Sequence, residues 1–550
     1  MKKILISLVV TSVVLSCTND SIMKQSNNVM DNNSFNDISY VLSSNGQTIL
    51  GDKFEIPYSV ENLIKALDNL PTETKSMIDP NEIYATHYYV RFHPKNLKEL
   101  DLLENIKPKL MLSEIPLDRE VLQGGHSYHD PTLPDDMPTY QYTTLEANYY
   151  ERLKDTLSVE SEILIPAYMP DYYTNVETKT FSTSIPNTAM QKLLEEAYKL
   201  TGHEYIPETK ASEWHPMGTI KAYDDITGYA IPIAGVCVRG VRLLTIKETM
   251  TNSEGVFYFT ETFKNKVNMK VIWEGTEWDV REGQVSQATY EGPQIENERW
   301  DLEIKSSEPY QVAFAAIHRG AYRYYIGYKY GLTRPDNSRR EKLVYKHDGI
   351  AGGINGDYNL QWGMGIFGDI RIAGQNEFGR RPASHILSTT LHELAHATHY
   401  TNASSIFRNS ETRVIESWAR FAQYLLTKRI YKDYGIDYLT SDTINWSGLT
   451  YEEPDIYYNF QATPNTKYEE YTTMFIDLYD DFNQYEFYKN ADAPNDKIKN
   501  FPPSKLEQIV FSSTTFAQVV SKLKELSSSY SGTYYNMTEE NIDLLFDIYL

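Results

Sequence analysis

Residues 385–400 read HILSTTLHELAHATHY, a stretch free of glycine, and within it His392-Glu393-Leu394-Ala395-His396 sets two histidines four positions apart. On a helix that offset stacks both imidazoles one turn apart on one face, where their nitrogens converge on a single metal ion. Arg381-Pro382-Ala383-Ser384 opens the helix, with Pro382 as the boundary signal and Ala383 or Ser384 near the cap. The alternative is two surface histidines on a helix, and the apolar surroundings count against it. A metal reading constrains much more of the fold. A catalytic zinc takes three protein ligands and leaves one position for water, so a second element must bring a third ligand to the same point.

Residues 412–430 supply that element. Ile415, Trp418, Ala419, Ala422, Leu425 and Leu426 recur at helical spacing on one side, while Glu416 shares another side with Arg420, Gln423 and Thr427. Glu416, with 19 residues between it and His396, is the acid placed on the metal. Glu411 is the rival third ligand, but it falls near the helix N-terminus, where an acid is already favoured by the helix dipole. His399 does not extend the motif to H-x-x-G-x-x-H, because that pattern needs Gly at 399 and His at 402, where this chain has His399 and Asn402.

HExxH followed at this distance by Glu on the next helix resembles the gluzincin metallopeptidases. The resemblance implies a mainly helical, zincin-like catalytic domain that hydrolyses peptide bonds with Zn2+ as cofactor. It assigns His392, His396 and Glu416 as metal ligands and Glu393 as the general base toward water. One position departs from the family: Arg420 stands where many gluzincins carry an Asp that orients the first histidine, so His392 needs some other acceptor. Gluzincins also supply an oxyanion donor from a Tyr or His beyond the third ligand; Tyr468 and Tyr471 are the candidates, with Tyr471 preferred. The mucin-cleaving, enhancin-like zincins share the architecture, so the expected partner is a protein or glycoprotein substrate. The reading from another class is a surface adhesin or binding lipoprotein on an inactive zincin scaffold, which Arg420 suggests and the intact Glu393 argues against.

The start of the chain is an address. Met1-Lys2-Lys3 precedes an apolar run from Ile4 to Leu15, too short to span a bilayer at about 20 residues, and Leu15-Ser16-Cys17 follows. This resembles the lipobox of bacterial lipoproteins. It implies a signal peptide over 1–16, lipidation of Cys17, and attachment to the outer membrane of a cell envelope, on its periplasmic or outer face. Residues 17–39, rich in Asn, Ser and Asp, read as a flexible tether. With Cys17 lipidated only Cys237 remains, so no intrachain disulfide forms.

The body reads as a multidomain α+β protein. Residues 40–205 mix helical and strand patterns; THYYVRFHPKN and IPLDREVLQGGHSYHDP within them are similar to an N-terminal domain of lipoproteins from gut-type Bacteroidetes. His126, His129 and Asp130 there read as loop surface rather than metal ligands. Residues 213–304 carry short alternating strands, the pattern of a small β-sandwich. IPIAGVCVRG and TNSEGVFYF resemble the carboxypeptidase-regulatory-like, prealbumin-type sandwich, with Cys237 as a buried, inert thiol. Residues 305–550 form the catalytic body, and Asp369–Ala373 is expected as an edge strand that pairs with an extended peptide. The Gly363–Gly368 match to G-x-G-x-x-G precedes a strand rather than a helix, which excludes dinucleotide binding. His385 is expected to cap or face solvent. A net charge of −23 excludes bulk nucleic-acid binding, and a monomer is expected.

Overall fold

A computed structural model describes residues 15–16, 46–156, 158–163, 184–205, 213–283, 285–336, 339–351, 355–358, 370–376, 379–436, 472–489 and 493–549. Cys17, the tether to residue 39, the 363–368 glycine motif, Tyr468 and Tyr471 lie outside the described residues. The architecture is mixed α+β, with several sheets and a helical C-terminal region. Among the described residues no helix is long and apolar enough to cross a membrane.

In the N-terminal part, the strand His87–Phe92 lies between Gln141–Glu146 and Ser158–Ile163, antiparallel to both. The helix Val60–Asn69 is capped by Ser59, whose Oγ accepts from Asn62 N at 3.2 Å. It buries Leu63, Ala66 and Leu67 in a core shared with Leu193, Leu194 and Ala197 of the helix Asn187–Leu200.

The next segment builds two facing sheets. The strand Met217–Asp224 alternates strictly between half-buried and buried positions, the period of a strand with one face on a core. Ile220, Phe257, Phe259, Phe263 and Met269 fill the space between the sheets. Trp278–Glu282 (β1) and Ser286–Gln287 (β2), which belong to the expected sandwich segment by sequence, instead join the sheet of the following body. There β1 runs parallel to Glu341–Lys346 (β3), from Trp278 opposite Glu341 to Glu282 opposite Tyr345. The apolar core is continuous from Trp214 to Tyr549, across residue 304.

Gly356–Tyr358 (β4) and Ile370–Ala373 (β5) complete that sheet. β5 is parallel to β3 on one side and antiparallel to β4 on the other. The expected edge strand is therefore interior, and Ile370 and Ile372 are fully buried. Apolar alternation marks a buried face and carries no information about whether a second neighbour is present. β4 takes the outer place, with the backbone of Leu15–Ser16 antiparallel along it.

Three helices cover the sheet and hold the histidine motif: Pro309–Tyr325 (α1), Ala383–Asn409 (α2), with non-helical backbone at Ala403, and Thr412–Lys432 (α3). Gly320 lets α1 approach α2 closely; a Cβ there would lie 3.0 Å from Thr390 Cβ and 3.1 Å from Leu387 O. The N-cap of α2, Pro382, makes no side-chain cap bond. Asp225, from the β-rich segment, fills that role by accepting from Ser384 N at 2.8 Å and Ser384 Oγ at 2.5 Å. Its neighbour Asp224 accepts from Arg319 of α1 at 2.7 Å and Tyr431 of α3 at 2.9 Å. One acidic turn thus pins all three helices.

Candidate metal centre

His392 and His396 project from one face of α2, and α3 packs against it so that Glu416 meets them. His392 Nε2 lies 3.1 Å from His396 Nε2 and 3.2 Å from Glu416 Oε2, and His396 Nε2 lies 3.4 Å from the same oxygen. All three side chains are buried. The ligand atoms lie within 4.8 Å of one another, a grouping able to hold a metal ion.

The far side of His392 is fixed by α3 as well. Its Nδ1 lies 3.2 Å from Gln423 Oε1, and Gln423 Nε2 donates to Ser388 Oγ at 2.8 Å, which turns the amide oxygen toward the ring. Nδ1 therefore carries the proton and Nε2 presents a lone pair to Glu416 and His396. Gln423 is the acceptor that Arg420 does not provide. Its signal was in the sequence, since it shares a helix side with Glu416, but an amide in place of a carboxylate has no motif.

The electrostatics of the cluster are mutual. Burial opposes the charge on Glu416, yet the His396 and His392 rings outweigh burial and hold its carboxyl below the usual range. At His396 burial is outweighed by the Glu416 carboxylate and the shift is upward; at His392 burial prevails and the shift is downward. Glu416 Oε1 and His396 Nδ1 are buried with no hydrogen-bond partner among the described residues. Two imidazole nitrogens and a carboxylate, with an oxygen to spare, fit a metal ion.

Glu393 is fully buried beside this cluster and faces β4. A Cβ on Gly356 would stand 2.8 Å from Glu393 Oε1 and 2.9 Å from Thr389 Cγ2, so only glycine lets that strand's backbone approach. Nothing in the sequence around Gly356 signals this contact.

The other candidates go elsewhere. Glu411 Oε2 accepts from Phe516 N at 3.2 Å and anchors the C-terminal helices. His399 lies flat against Phe511, ring centroids 4.6 Å apart, and burial lowers its pKa to about 3. His385 Nε2 is 2.8 Å from Arg381 Nη1. His126 stacks on Tyr310 at 4.1 Å, His129 Nε2 sits 2.8 Å from Met137 O, and Asp130 accepts from Thr132 N at 2.9 Å; they share no metal grouping. Tyr471 lies outside the described residues; the next residue, Thr472, is tied to Ser417, beside Glu416, through Thr472 N to Ser417 Oγ at 3.0 Å.

A second grouping, Cys237 with Glu248 and Glu274, has its charges already matched. Arg239 pairs with Glu248, Arg340 with Glu274 at 2.6 Å, and Lys109 lies within 3.6 Å of both acids. Burial, followed by those acids, pushes the Cys237 thiol well up, so it stays protonated. No protein-family model matches the chain, and no curated protein matches it at significant similarity.

Proposed function

We propose that this chain is a zinc-dependent peptidase, acting on proteins or glycoproteins and held at a cell envelope by lipid on Cys17. The observation that carries the reading is the convergence of three lone-pair atoms, His392 Nε2, His396 Nε2 and Glu416 Oε2, within 3.4 Å of one another. Such atoms stay together only around a shared proton or a cation, and two imidazoles with one carboxylate suit zinc. Zinc held there acidifies water and polarises a peptide carbonyl. Glu393, buried next to the first ligand, takes the proton from water and returns it to the leaving amine. Gln423 keeps His392 in the tautomer that presents Nε2. β4, with Gly356 against Glu393, pairs on its outer side with Leu15–Ser16, residues inside the expected signal peptide, and removal of that peptide would open the edge to an extended substrate. The oxyanion donor assigned to this reading is Tyr471.

The inactive-adhesin alternative drew on Arg420, and it weakens because His392 has an acceptor in Gln423. The test is metal content and protein hydrolysis measured together. Wild type should hold one zinc per chain and Glu416→Ala little. Glu393→Gln should keep the zinc and lose turnover by about 10²–10⁴-fold, the range for a missing general base. A wild type that holds no zinc after reconstitution sinks the reading.

A further inference from the structure

The chain holds 44 tyrosines against 20 phenylalanines, and packing leaves some of their rings in water. Among the described residues the two most exposed tyrosines are Tyr534, at 64%, and Tyr328, at 58%, and contacts join them into one patch beyond the end of α1. Tyr328 packs on Tyr330 with ring centroids 4.9 Å apart, and Tyr330 on Tyr479 at 6.1 Å. Asn500 ties in the other arm: its backbone N donates to Tyr479 O at 2.7 Å and its Nδ2 to Tyr534 O at 3.1 Å. The hydroxyl groups gather as well. Tyr479 shares a side-chain hydrogen bond with Tyr330, and after burial the Tyr330, Tyr328 and Tyr534 phenols raise its pKa. Segments far apart in the chain thus set four hydroxyl-bearing rings together at the surface.

The charge around Tyr328 is positive. Lys329, between Tyr328 and Tyr330, is half-buried and makes no ion pair among the described residues; burial, followed by Arg334, lowers its pKa. Arg429 of α3 lies over the Tyr328 ring at 5.1 Å. It shares Asp433, at 3.0 Å, with Arg323 of α1, at 2.6 Å, so two guanidinium groups have one acid between them. Glu507 acts on Lys329 from beyond ion-pair range, and burial pushes its own carboxyl up to about 7, which leaves only part of its charge at neutrality. In a chain of net charge −23 this local excess of cations is complementary to an anion.

We propose that Tyr328, Tyr330, Tyr479, Tyr534 and Lys329 form a binding platform for acidic glycans, sugar chains that bear carboxylate or sulfate groups. A ring with a hydroxyl suits a ligand that offers apolar C–H faces and many hydroxyls at once. An aliphatic partner would strip water from the phenols and return no hydrogen bond. Sugar faces stack on the exposed Tyr328 and Tyr534 rings, the phenols exchange hydrogen bonds with sugar hydroxyls, and Lys329 takes the acid group. Glu416 and Arg429 both belong to α3, about 20 Å apart along its axis, so the platform stands outside the metal centre and holds the glycan of a substrate whose peptide is cut there. That use as an exosite rests on the peptidase reading; glycan binding itself does not.

The test titrates the full chain in detergent over surfaces carrying sialyllactose, sulfated lactose or plain lactose. We expect saturable binding to one or both acidic sugars, about tenfold tighter than to lactose, and the preferred sugar identifies the acid group. Tyr328→Ala and Tyr534→Ala should each weaken that binding about tenfold, and Lys329→Gln should bring the acidic sugars down to the level of lactose. Melting temperatures equal to wild type show that these surface variants have folded. Glu393→Gln should bind the sugars as wild type does. With a sialylated glycoprotein and a glycan-free peptide as substrates, Tyr328→Ala should raise KM for the glycoprotein alone. Glycan binding without any hydrolysis removes the peptidase reading and leaves the platform standing. Equal binding by wild type and both tyrosine variants overturns the proposal, as does lactose bound as tightly as the acidic sugars. Phosphatidylglycerol vesicles or polyglutamate bound as tightly as the sugars mark a general anion surface and overturn it too.

Discussion

Gln423 carries no charge, yet it determines which nitrogen of His392 faces the candidate metal centre. Replacing it with Leu removes the acceptor and leaves a buried Nδ1–H unpaired. Zinc affinity, measured by chelator competition, is expected to fall about 10–100-fold, the usual cost of losing a partner behind a ligand; an unchanged affinity would show that the ring is held by packing alone. Gly356 is the complementary case, a residue whose role is to have no side chain. Gly356→Ala puts a methyl group 2.8 Å from Glu393 Oε1, so under the proposed function it should displace Glu393 and cut turnover sharply while zinc content is unaffected. Full activity in that variant would mean that β4 moves aside. The buried His392 and His396 of the candidate metal centre were legible because HExxH is a local pattern. Gln423 and Gly356 were not, since each acts across a contact between distant elements.

At the scale of elements, α2 depends on a cap it does not own. Asp225 closes its first turn from 159 residues upstream, through both the amide and the hydroxyl of Ser384. Asp225→Ala should destabilise the chain by about 1–2 kcal/mol in urea unfolding, and Asp225→Asn, which keeps an acceptor, by less. Equal losses for the two would show that the charge rather than the cap matters. The order of strands was likewise beyond a local reading. Residues 370–373 have the alternation of a strand with a buried face, and the sequence placed them at an edge; their interior position follows from β4, which returns antiparallel from 356–358. Residues 278–282, Trp278-Asp279-Val280-Arg281-Glu282, follow the sandwich strands in the same run of short strands, and only the available partner, β3, draws them into the other sheet.

Across the whole molecule, buried titratable groups set opposing pH trends. Burial holds His87 and His399 down to about 3, and His126 and His318 to about 4, against an ordinary 6.5. Each favours folding above 6.5, and that contribution declines as pH falls toward its folded value. Burial pushes Glu114, Glu282 and Glu507 up to about 7 from 4.5, so each favours folding below 4.5 and loses its contribution as pH rises through 7. Glu248 runs the other way. Burial alone would raise it, but Arg239 and Lys109 bring it down to about 2, and its contribution is lost as pH falls from 4.5 through 2. For the metal-free chain we expect a denaturant midpoint that is nearly level between pH 4.5 and 6.5, steep in its decline below 4.5 and gentler in its decline above 6.5. A midpoint still rising at about pH 9 would contradict this balance.

The same contrast of range separates the two sources of information about this protein. Helical and strand periodicities depend on residues two to four positions apart, so the 392–396 histidine pair, the Glu416 helix and the α+β character were all readable along the chain. The partner of His392 is 31 residues away, the cap of α2 is 159, and Lys342 meets Glu104 across 238. Contacts of that reach form only when elements pack, because each must be chosen against every other surface the chain could bury, and no local spacing encodes the choice.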